Sequence, residues 1–233
     1  MRFHAYTKFE GKRKSARSTA AGFSLLELLI AMTITLVLMG LASALIASSF
    51  NVRGRENQKS SALADAQRAL NSMSREIANS GFGLTNNGIV ATESGLNSIR
   101  VRANLNALDR ETTSSSVVDS DEDVLYNLFT DSSQSYVERI DINSGSRTTV
   151  LANRVDALVI RYYADKVDYT SGACDINTTA TQVSDKAQAK YIVIVACVQL
   201  PAVGAAGSPG YQPTSSVQLI SDLTLRNTDL VRY

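Results

Sequence analysis

One acidic residue, Glu27, lies inside an apolar stretch of the chain. The stretch after it, Leu28 to Ala47, contains no charged residue. At the helical rise these residues span roughly 30 Å, the thickness of the hydrocarbon core of a bilayer. An unpaired acid costs about 2.5–3.5 kcal/mol at mid-membrane and less towards an interface. The carboxylate therefore needs a partner, and the chemistry that it offers is pairing with a cation away from water.

Catalytic residues are poorly represented elsewhere. The single histidine, His4, belongs to a basic N-terminal segment, so the remainder cannot build a Ser-His-Asp triad, a Cys-His pair or a histidine metal site. The Gly-Phe-Gly at 81–83 lacks a third glycine and follows a helical pattern instead of a strand, unlike a phosphate-binding loop. Asp165 and Asp168 are interpreted as surface charge in a loop. We expect a protein that is not an enzyme and uses no cofactor.

A run of acids at 119–123 resembles the start of a calcium loop, because hard cations favour clustered carboxylate oxygens. The EF-hand pattern requires Gly at its sixth position and Glu at its twelfth. This chain has Val124 and Thr130 there. We therefore expect no metal site, and instead a solvated acidic loop before a strand, where charge deters edge pairing.

The segment that precedes the apolar run is strongly basic. Residues 1–22 carry six Lys or Arg side chains and one acid. An excess of basic residues marks the cytoplasmic side of a span, so we expect a cytoplasmic N-terminus and export of the residues after Ala47. Arg53 and Arg55, on the far flank, oppose this orientation slightly.

Two alternatives remain for this segment. A secretory signal peptide has an apolar region of about 7–15 residues with small residues after it. Here the apolar run is longer, and the small residues Ala20-Ala21-Gly22 come before it. The second alternative is a plain transmembrane anchor, which leaves Glu27 unexplained.

Beyond the span the chain has a second helical pattern and then strands. Its apolar positions recur at steps of three and four and form one face of a helix: Leu63, Ala66, Leu70, Met73 and Ile77. This stripe should dock on a sheet, and Gly81 is a candidate C-terminal cap. The opposite face, which includes Ser74 and Glu76, is polar.

Seven segments rich in β-branched or aromatic residues predict strands. They are Ser98–Ala103, Val124–Phe129, Val137–Ile142, Thr148–Leu151, Val155–Tyr163, Tyr191–Leu200 and Val217–Leu225. The segment 191–198 is apolar throughout and should be a central strand. Long polar connections occupy 103–123 and 164–190. The predicted fold is α+β, with one long N-terminal helix packed on an antiparallel β-sheet.

The charge balance argues against nucleic acid as a partner. After residue 22, 211 residues remain, with 17 basic side chains against 21 acidic ones and hence a formal charge of −4. Nucleic-acid binding usually shows as a basic patch or stripe. The roughly 150 residues after the helix are enough for one domain with its own core.

The two cysteines, Cys174 and Cys197, lie in the part expected to be exported. An oxidising compartment permits a disulfide there, which would stabilise the fold by about 3 kcal/mol in the chain-entropy model. The alternative is that Cys197 is a buried small hydrophobe in its strand and Cys174 a free thiol in a loop.

The segment Gly22, Phe23, Ser24 and Glu27, followed by the apolar run, resembles the cleavage and methylation segment of type IV prepilins and type II secretion pseudopilins. The resemblance implies that a prepilin peptidase cuts between Gly22 and Phe23 on the cytoplasmic face. Phe23 then becomes the N-methylated first residue. Glu27, at the fifth mature position, is implied to interact with the N-terminal amine of a neighbouring subunit. The implied fold is pilin-like.

Three shorter segments, at 74–78, 155–163 and 221–227, together with the chain length, are similar to PilW-type minor pilins. This implies a low-abundance subunit that acts in type IV pilus assembly or initiation, located first in the inner membrane and then in the pilus. The implied partners are the prepilin peptidase/methyltransferase, other minor pilins, the major pilin and inner-membrane lipid. J-type minor pseudopilins of type II secretion have the same general form and are the alternative.

The resulting organisation has four parts. Residues 1–22 are a basic leader, and residues 23–50 are the transmembrane or filament-core half of the helix. Residues 51–80 are its amphipathic half, and residues 81–233 are an exported β-rich region.

Overall fold

The computed structural model describes residues 22–106, 117–131, 134–151 and 154–228. Most of the predicted leader and part of the connection at 103–123 lie outside these residues. The predicted fold class is confirmed: one long helix, α1 (Leu25–Ala78), is followed by antiparallel β-structure. The chain divides into two compact units, Met1–Leu45 and Ile46–Tyr233.

Nine strands follow α1 within the described residues. They are β1 (Ser98–Arg102), β2 (Asp123–Asp131), β3 (Gln134–Asp141), β4 (Arg147–Leu151), β5 (Val155–Tyr163), β6 (Thr170–Ser171), β7 (Ile176–Asn177), β8 (Tyr191–Leu200) and β9 (Ser215–Thr224). All seven predicted strands are present. The two short strands β6 and β7 form a hairpin inside the connection at 164–190, which the sequence predicts as a loop.

The strands form separate sheets, whereas the sequence predicts a single one. β1, β2, β3 and β4 pair in chain order in one sheet, and β5, β8 and β9 form a second sheet with β8 at its centre. β5 pairs with β8 and not with its neighbour in sequence, β4. The reason lies in β8: eight consecutive residues from Tyr191 are buried, so this strand needs a partner on each edge and cover on each face.

One core unites the second half of α1 with both large sheets. Alternate residues of β8, beginning with Ile192 and Ile194, pack into this core together with Ile99 of β1 and Tyr126 of β2. The intervening residues of β8, such as Val193 and Val195, belong to a second apolar cluster on the other face of the sheet. That cluster includes Ile176 of β7, so the small hairpin covers the face that α1 does not.

The buried stripe of α1 differs from the predicted one at its start. Ala66, Leu70, Met73 and Ile77 are buried as expected, but Leu63 is only half-buried. Ala62 and Ala69 are buried in addition. The docked face therefore includes three alanines, Ala62, Ala66 and Ala69, in addition to the larger apolar residues.

Gly81 lies three residues after the end of α1 and has a left-handed backbone (φ +80°), but its N–H donates outside the helix, so it does not form the predicted C-terminal cap. Its N–H donates to the carbonyl oxygen of Arg102 at 2.8 Å. A Cβ added at Gly81 would lie 2.6 Å from the carbonyl oxygen of Asn86, so no larger residue fits without movement. The glycine joins the end of the helix to the end of β1.

Candidate functional site

The N-terminal segment begins with three residues outside the helix, Gly22, Phe23 and Ser24. The N–H of Leu26 donates to Ser24 Oγ at 3.3 Å, and the N–H of Leu28 donates to the carbonyl oxygen of Ser24 at 3.1 Å. Ser24 is thus the N-cap of α1. This cap was not predicted from the sequence, although the pattern Ser-x-x-Glu at 24–27 indicates it.

This cap places Glu27 at the third helical position, where a Ser-x-x-Glu capping box puts its acid. An acid in the first turn also lies favourably in the field of the helix dipole. Glu27 is exposed, and its carboxylate has no hydrogen-bond or ion-pair partner within the described ranges. The helix thus presents an accessible carboxylate near the exposed Phe23.

The large apolar residues from Leu25 to Phe50 expose their side chains. An 18-residue window of α1 has a mean hydropathy of 2.4 with no residue buried, so its length and composition are those of a membrane span. Its two threonine hydroxyls are satisfied within the helix: Thr33 Oγ1 donates to the Ile30 carbonyl oxygen at 2.8 Å, and Thr35 Oγ1 to that of Ala31 at 2.7 Å. Such internal pairing suits a surrounding without water.

Residues 17–43 match the family model of the prokaryotic N-terminal methylation motif. The match contains Gly22, Phe23 and Glu27, so the chain carries the N-terminal motif of prokaryotic prepilin-type proteins. Processing by a prepilin peptidase, membrane anchoring and assembly with other pilins are what this motif implies. No curated protein and no solved structure matches the chain.

Two of the four acids in the run at 119–123 are buried, so the interpretation of the run as a solvated loop is wrong for these two. Glu122 and Asp123 are 2% and 3% exposed. Glu122 accepts the backbone N–H groups of Leu105 at 2.8 Å and of Val118 and Asp119 at 3.1 Å. Its carboxylate therefore fastens the two described ends of the connection that precedes β2.

Asp123 is held by two arginines of β1. Its carboxylate accepts from Arg100 Nε at 2.7 Å and from Arg102 Nε at 2.8 Å. Burial by itself would raise the pKa of Asp123, but the hydrogen bonds from the two guanidinium groups outweigh it and lower this pKa below its ordinary value. Within the ranges described, no group of three or more His, Cys, Asp or Glu residues could hold a metal ion.

Glu76 also departs from its predicted place on the polar face of α1. Its carboxylate accepts from the hydroxyl of Tyr126 at 2.8 Å and from Arg139 Nε at 3.0 Å. Burial, together with this carboxylate, raises the pKa of Tyr126 above its ordinary value, so the phenol stays protonated and donates. Ser74, expected on the same polar face, hydrogen-bonds to Ser221 of β9 at 2.8 Å.

A cleft of about 390 Å³ lies beside the last turn of α1. Its charged lining residues are Arg75, Arg102, Arg139, Glu76, Asp121 and Glu122. Three cations and three anions leave no excess of either charge, and both Glu76 and Glu122 are engaged as described above. The cleft therefore offers no feature that selects a charged ligand.

A disulfide joins Cys174 and Cys197, whose Cα atoms are 5.4 Å apart. Cys197 is fully buried on β8, and Cys174 lies in the turn between β6 and β7. Asp175, next in the turn, forms an ion pair with Arg161 of β5. The disulfide and the ion pair fasten the small hairpin to two strands of the second sheet.

We expect Asp123→Asn to lower the free energy of unfolding by roughly 1–3 kcal/mol at pH 7, because Arg102 loses its charged partner and Arg100 keeps only Glu93. The folded pKa of Asp123 is depressed, so its stabilisation is present above the ordinary aspartate pKa. It disappears as the pH falls through the folded value. The difference between variant and parent should therefore shrink below about pH 4.

The measurement is urea unfolding of the detergent-solubilised chain, followed by circular dichroism across this pH range. Asp156→Asn is the matched control, because Asp156 is exposed on β5 and has no partner among the described residues. Equal destabilisation by the two variants at pH 7 would contradict the role given to Asp123.

Proposed function

We propose that this chain is a minor pilin, a low-abundance subunit that acts in the assembly or initiation of a type IV pilus, and that it is not an enzyme. The observation that carries the proposal is the N-terminal segment: the methylation motif at 17–43 includes the start of α1, where the large apolar side chains are exposed. A surface of this kind must be covered by lipid or by other apolar helices. In a subunit that moves from the membrane into a filament, lipid covers this surface first, and the helices of other subunits cover it afterwards.

Processing by a prepilin peptidase is supported by the state of the junction. The peptide bond between Gly22 and Phe23 lies outside α1, and both residues are exposed. A bond in this position is accessible without unwinding the helix. In the proposed sequence of events the peptidase removes residues 1–22 on the cytoplasmic face, and the amine of Phe23 is methylated.

Glu27 then serves assembly. Its exposed carboxylate lies four residues after the new N-terminus and has no partner in the described part of the chain. The amine of a neighbouring subunit would supply the cation. In a surrounding with little water this attraction is far stronger than in bulk solvent, so it would guide the entering subunit to its register.

A minor pseudopilin of a type II secretion system is the second candidate, since the same N-terminal motif serves both machines. The resemblance of β5 and of the segment 221–227 to PilW-type minor pilins supports the pilus. Other minor pilins and the major pilin are then the partners. The protein would be a single-pass inner-membrane protein with a cytoplasmic N-terminus before it enters the pilus.

Gly22→Leu is expected to block processing, because the peptidase must accommodate a small residue before the scissile bond. The precursor should accumulate in the membrane, and the mature N-terminus should be absent when the protein is analysed by mass spectrometry. Ala20→Leu, two residues from the bond, is the control and should still be cleaved. A mature Phe23 terminus in Gly22→Leu would contradict the assigned junction.

Glu27→Ala is expected to leave cleavage intact but to reduce incorporation into sheared filaments at least tenfold, because the amine of the neighbouring subunit loses its counter-ion. A blot of the sheared and membrane fractions measures this. Glu27→Gln separates pairing from capping, since glutamine can fill the third position of a capping box but carries no charge. We expect Glu27→Gln to fail like Glu27→Ala; normal incorporation of Glu27→Gln would assign the residue to the helix cap instead.

Deletion of the gene distinguishes the two machines. The major pilin is quantified in a sheared surface fraction, and one exported enzyme is quantified in the medium. Loss of surface pili with normal export is the expected result. Intact pili with failed export would instead place the subunit in the secretion pseudopilus.

A further inference from the structure

The connection between β8 and β9, residues 201–214, folds back onto α1. Asn51 Nδ2 donates to the carbonyl oxygen of Pro209 at 3.2 Å. A Cβ added at Gly210 would lie only 2.4 Å from Ser48 Cα, so the loop backbone touches the helix backbone there. Glycine is required at this position both by the contact and by its left-handed backbone (φ +74°).

Arg55 closes both ends of this loop onto the helix. It is 8% exposed, and its guanidinium donates to the carbonyl oxygens of Pro201 at 2.6 Å and Pro213 at 2.5 Å. A third bond goes to Ser215 Oγ at 2.7 Å. No carboxylate pairs with Arg55 in the part of the chain that the structure describes. Two carbonyl oxygens and one hydroxyl, all uncharged, satisfy the buried cation, and the loop is held against the helix as a consequence.

Chain connectivity fixes the depth of the contact. Ser48 directly follows the apolar run Leu28 to Ala47, and Asn51 is only about 6 Å beyond the end of that run along the helix. The headgroup region on each side of a bilayer is roughly 5–8 Å thick. When the run occupies the hydrocarbon core, the helix residues that the loop touches therefore lie at headgroup depth.

The composition of the loop suits this depth. No charged residue occurs from Tyr191 to Ser221, and Ala205 and Ala206 are exposed at the loop tip. Tyr211 is half-exposed, and tyrosine is enriched at membrane interfaces. On the neighbouring turn of α1, Phe50 is 67% exposed. The loop and the adjoining turn thus offer neutral, small and aromatic groups.

One cation accompanies these groups. Arg53 is exposed, and no described residue forms a hydrogen bond or ion pair with it. A guanidinium pairs well with a phosphate group, and phosphates are the anions of the headgroup layer. The patch therefore combines apolar contact with one site for a lipid phosphate.

We propose that the loop 201–214 is a membrane-interface element, which lies in the phospholipid headgroup layer while α1 spans the bilayer and is held there by Arg55. This rests on the proposed insertion of α1.

The chain contains no tryptophan, so single tryptophans can report local surroundings. The full chain is reconstituted in phosphatidylethanolamine–phosphatidylglycerol vesicles. Three variants are compared: Ala206→Trp at the loop tip, Leu38→Trp inside the run and Ser144→Trp at the exposed turn after β3. Quenching is measured with aqueous acrylamide and with lipids brominated near the headgroup.

We expect acrylamide to quench Ala206→Trp several-fold less than Ser144→Trp, and the brominated lipid to quench Ala206→Trp but not Ser144→Trp. When Arg55→Ala is combined with Ala206→Trp, quenching of the tryptophan at 206 by both agents should approach that measured for Ser144→Trp. If Ala206→Trp and Ser144→Trp are quenched equally while Leu38→Trp is shielded from acrylamide, the inference about the loop is wrong, although α1 is inserted in the bilayer. If Leu38→Trp is exposed to acrylamide, insertion itself fails and the inference falls with it.

Protection of Ala206→Trp that appears only at high protein-to-lipid ratio would assign the loop to contact between copies of the chain, and would overturn the lipid assignment. The unmodified chain provides an independent readout through hydroxyl-radical footprinting in the same vesicles. Tyr211 should be oxidised several-fold more slowly than Tyr136, a half-exposed tyrosine on β3. Equal oxidation of the two would overturn the proposal.

Discussion

The structure depends on one constraint: the two halves of α1 must be covered by different surroundings. Up to Phe50 the helix exposes apolar side chains on all sides. Their spacing in sequence does not confine them to one face that could pack on the sheets. From Ala62 onwards only one narrow face is apolar, and it is buried under both sheets. The first half cannot be stable in water, so its covering comes from lipid or from other chains. The second half needs only the chain's own strands.

The globular unit shows how a strand that is apolar on both faces is accommodated. β8 sends one set of side chains towards α1 and the other set away from it. The second set would face water if the chain stopped at one helix and one sheet layer. The hairpin β6–β7 covers it, and so small a hairpin has too little area of its own to stay in place. The disulfide to Cys197 and the ion pair of Arg161 with Asp175 supply the attachment that its own pairing cannot.

The sequence predicts the elements whose signal is local. The long helix and all seven larger strands follow from apolar periodicity and from β-branched residues, and the cap Ser24 could have been read from the same pattern. What it does not predict depends on partners far away along the chain. Glu76 looks like a surface residue until Arg139 and Tyr126 are placed beside it. Arg55 looks like a surface cation, because its partners lie about 150 residues later.

The division into two sheets is a further example. Each strand by itself gives the same signal whichever sheet it joins, and the pairing of β5 with β8 is decided by burial that involves the whole unit. The N-terminal motif is the opposite case. Its residues are close together in sequence, and their types and spacing identify it without any long-range contact.

The polar attachments of α1 to the strands and loops have a mechanical consequence. They are found at Arg55, near the start of the globular unit, and at Ser74 and Glu76, near the end of the helix. About 30 Å of helix separates the two groups. A force directed along the helix axis would load both groups at once in shear, together with the apolar stripe between them. Bonds that are loaded in parallel share the force, whereas bonds that are loaded in series break one after another. The arrangement of these contacts therefore resists tension along the helix.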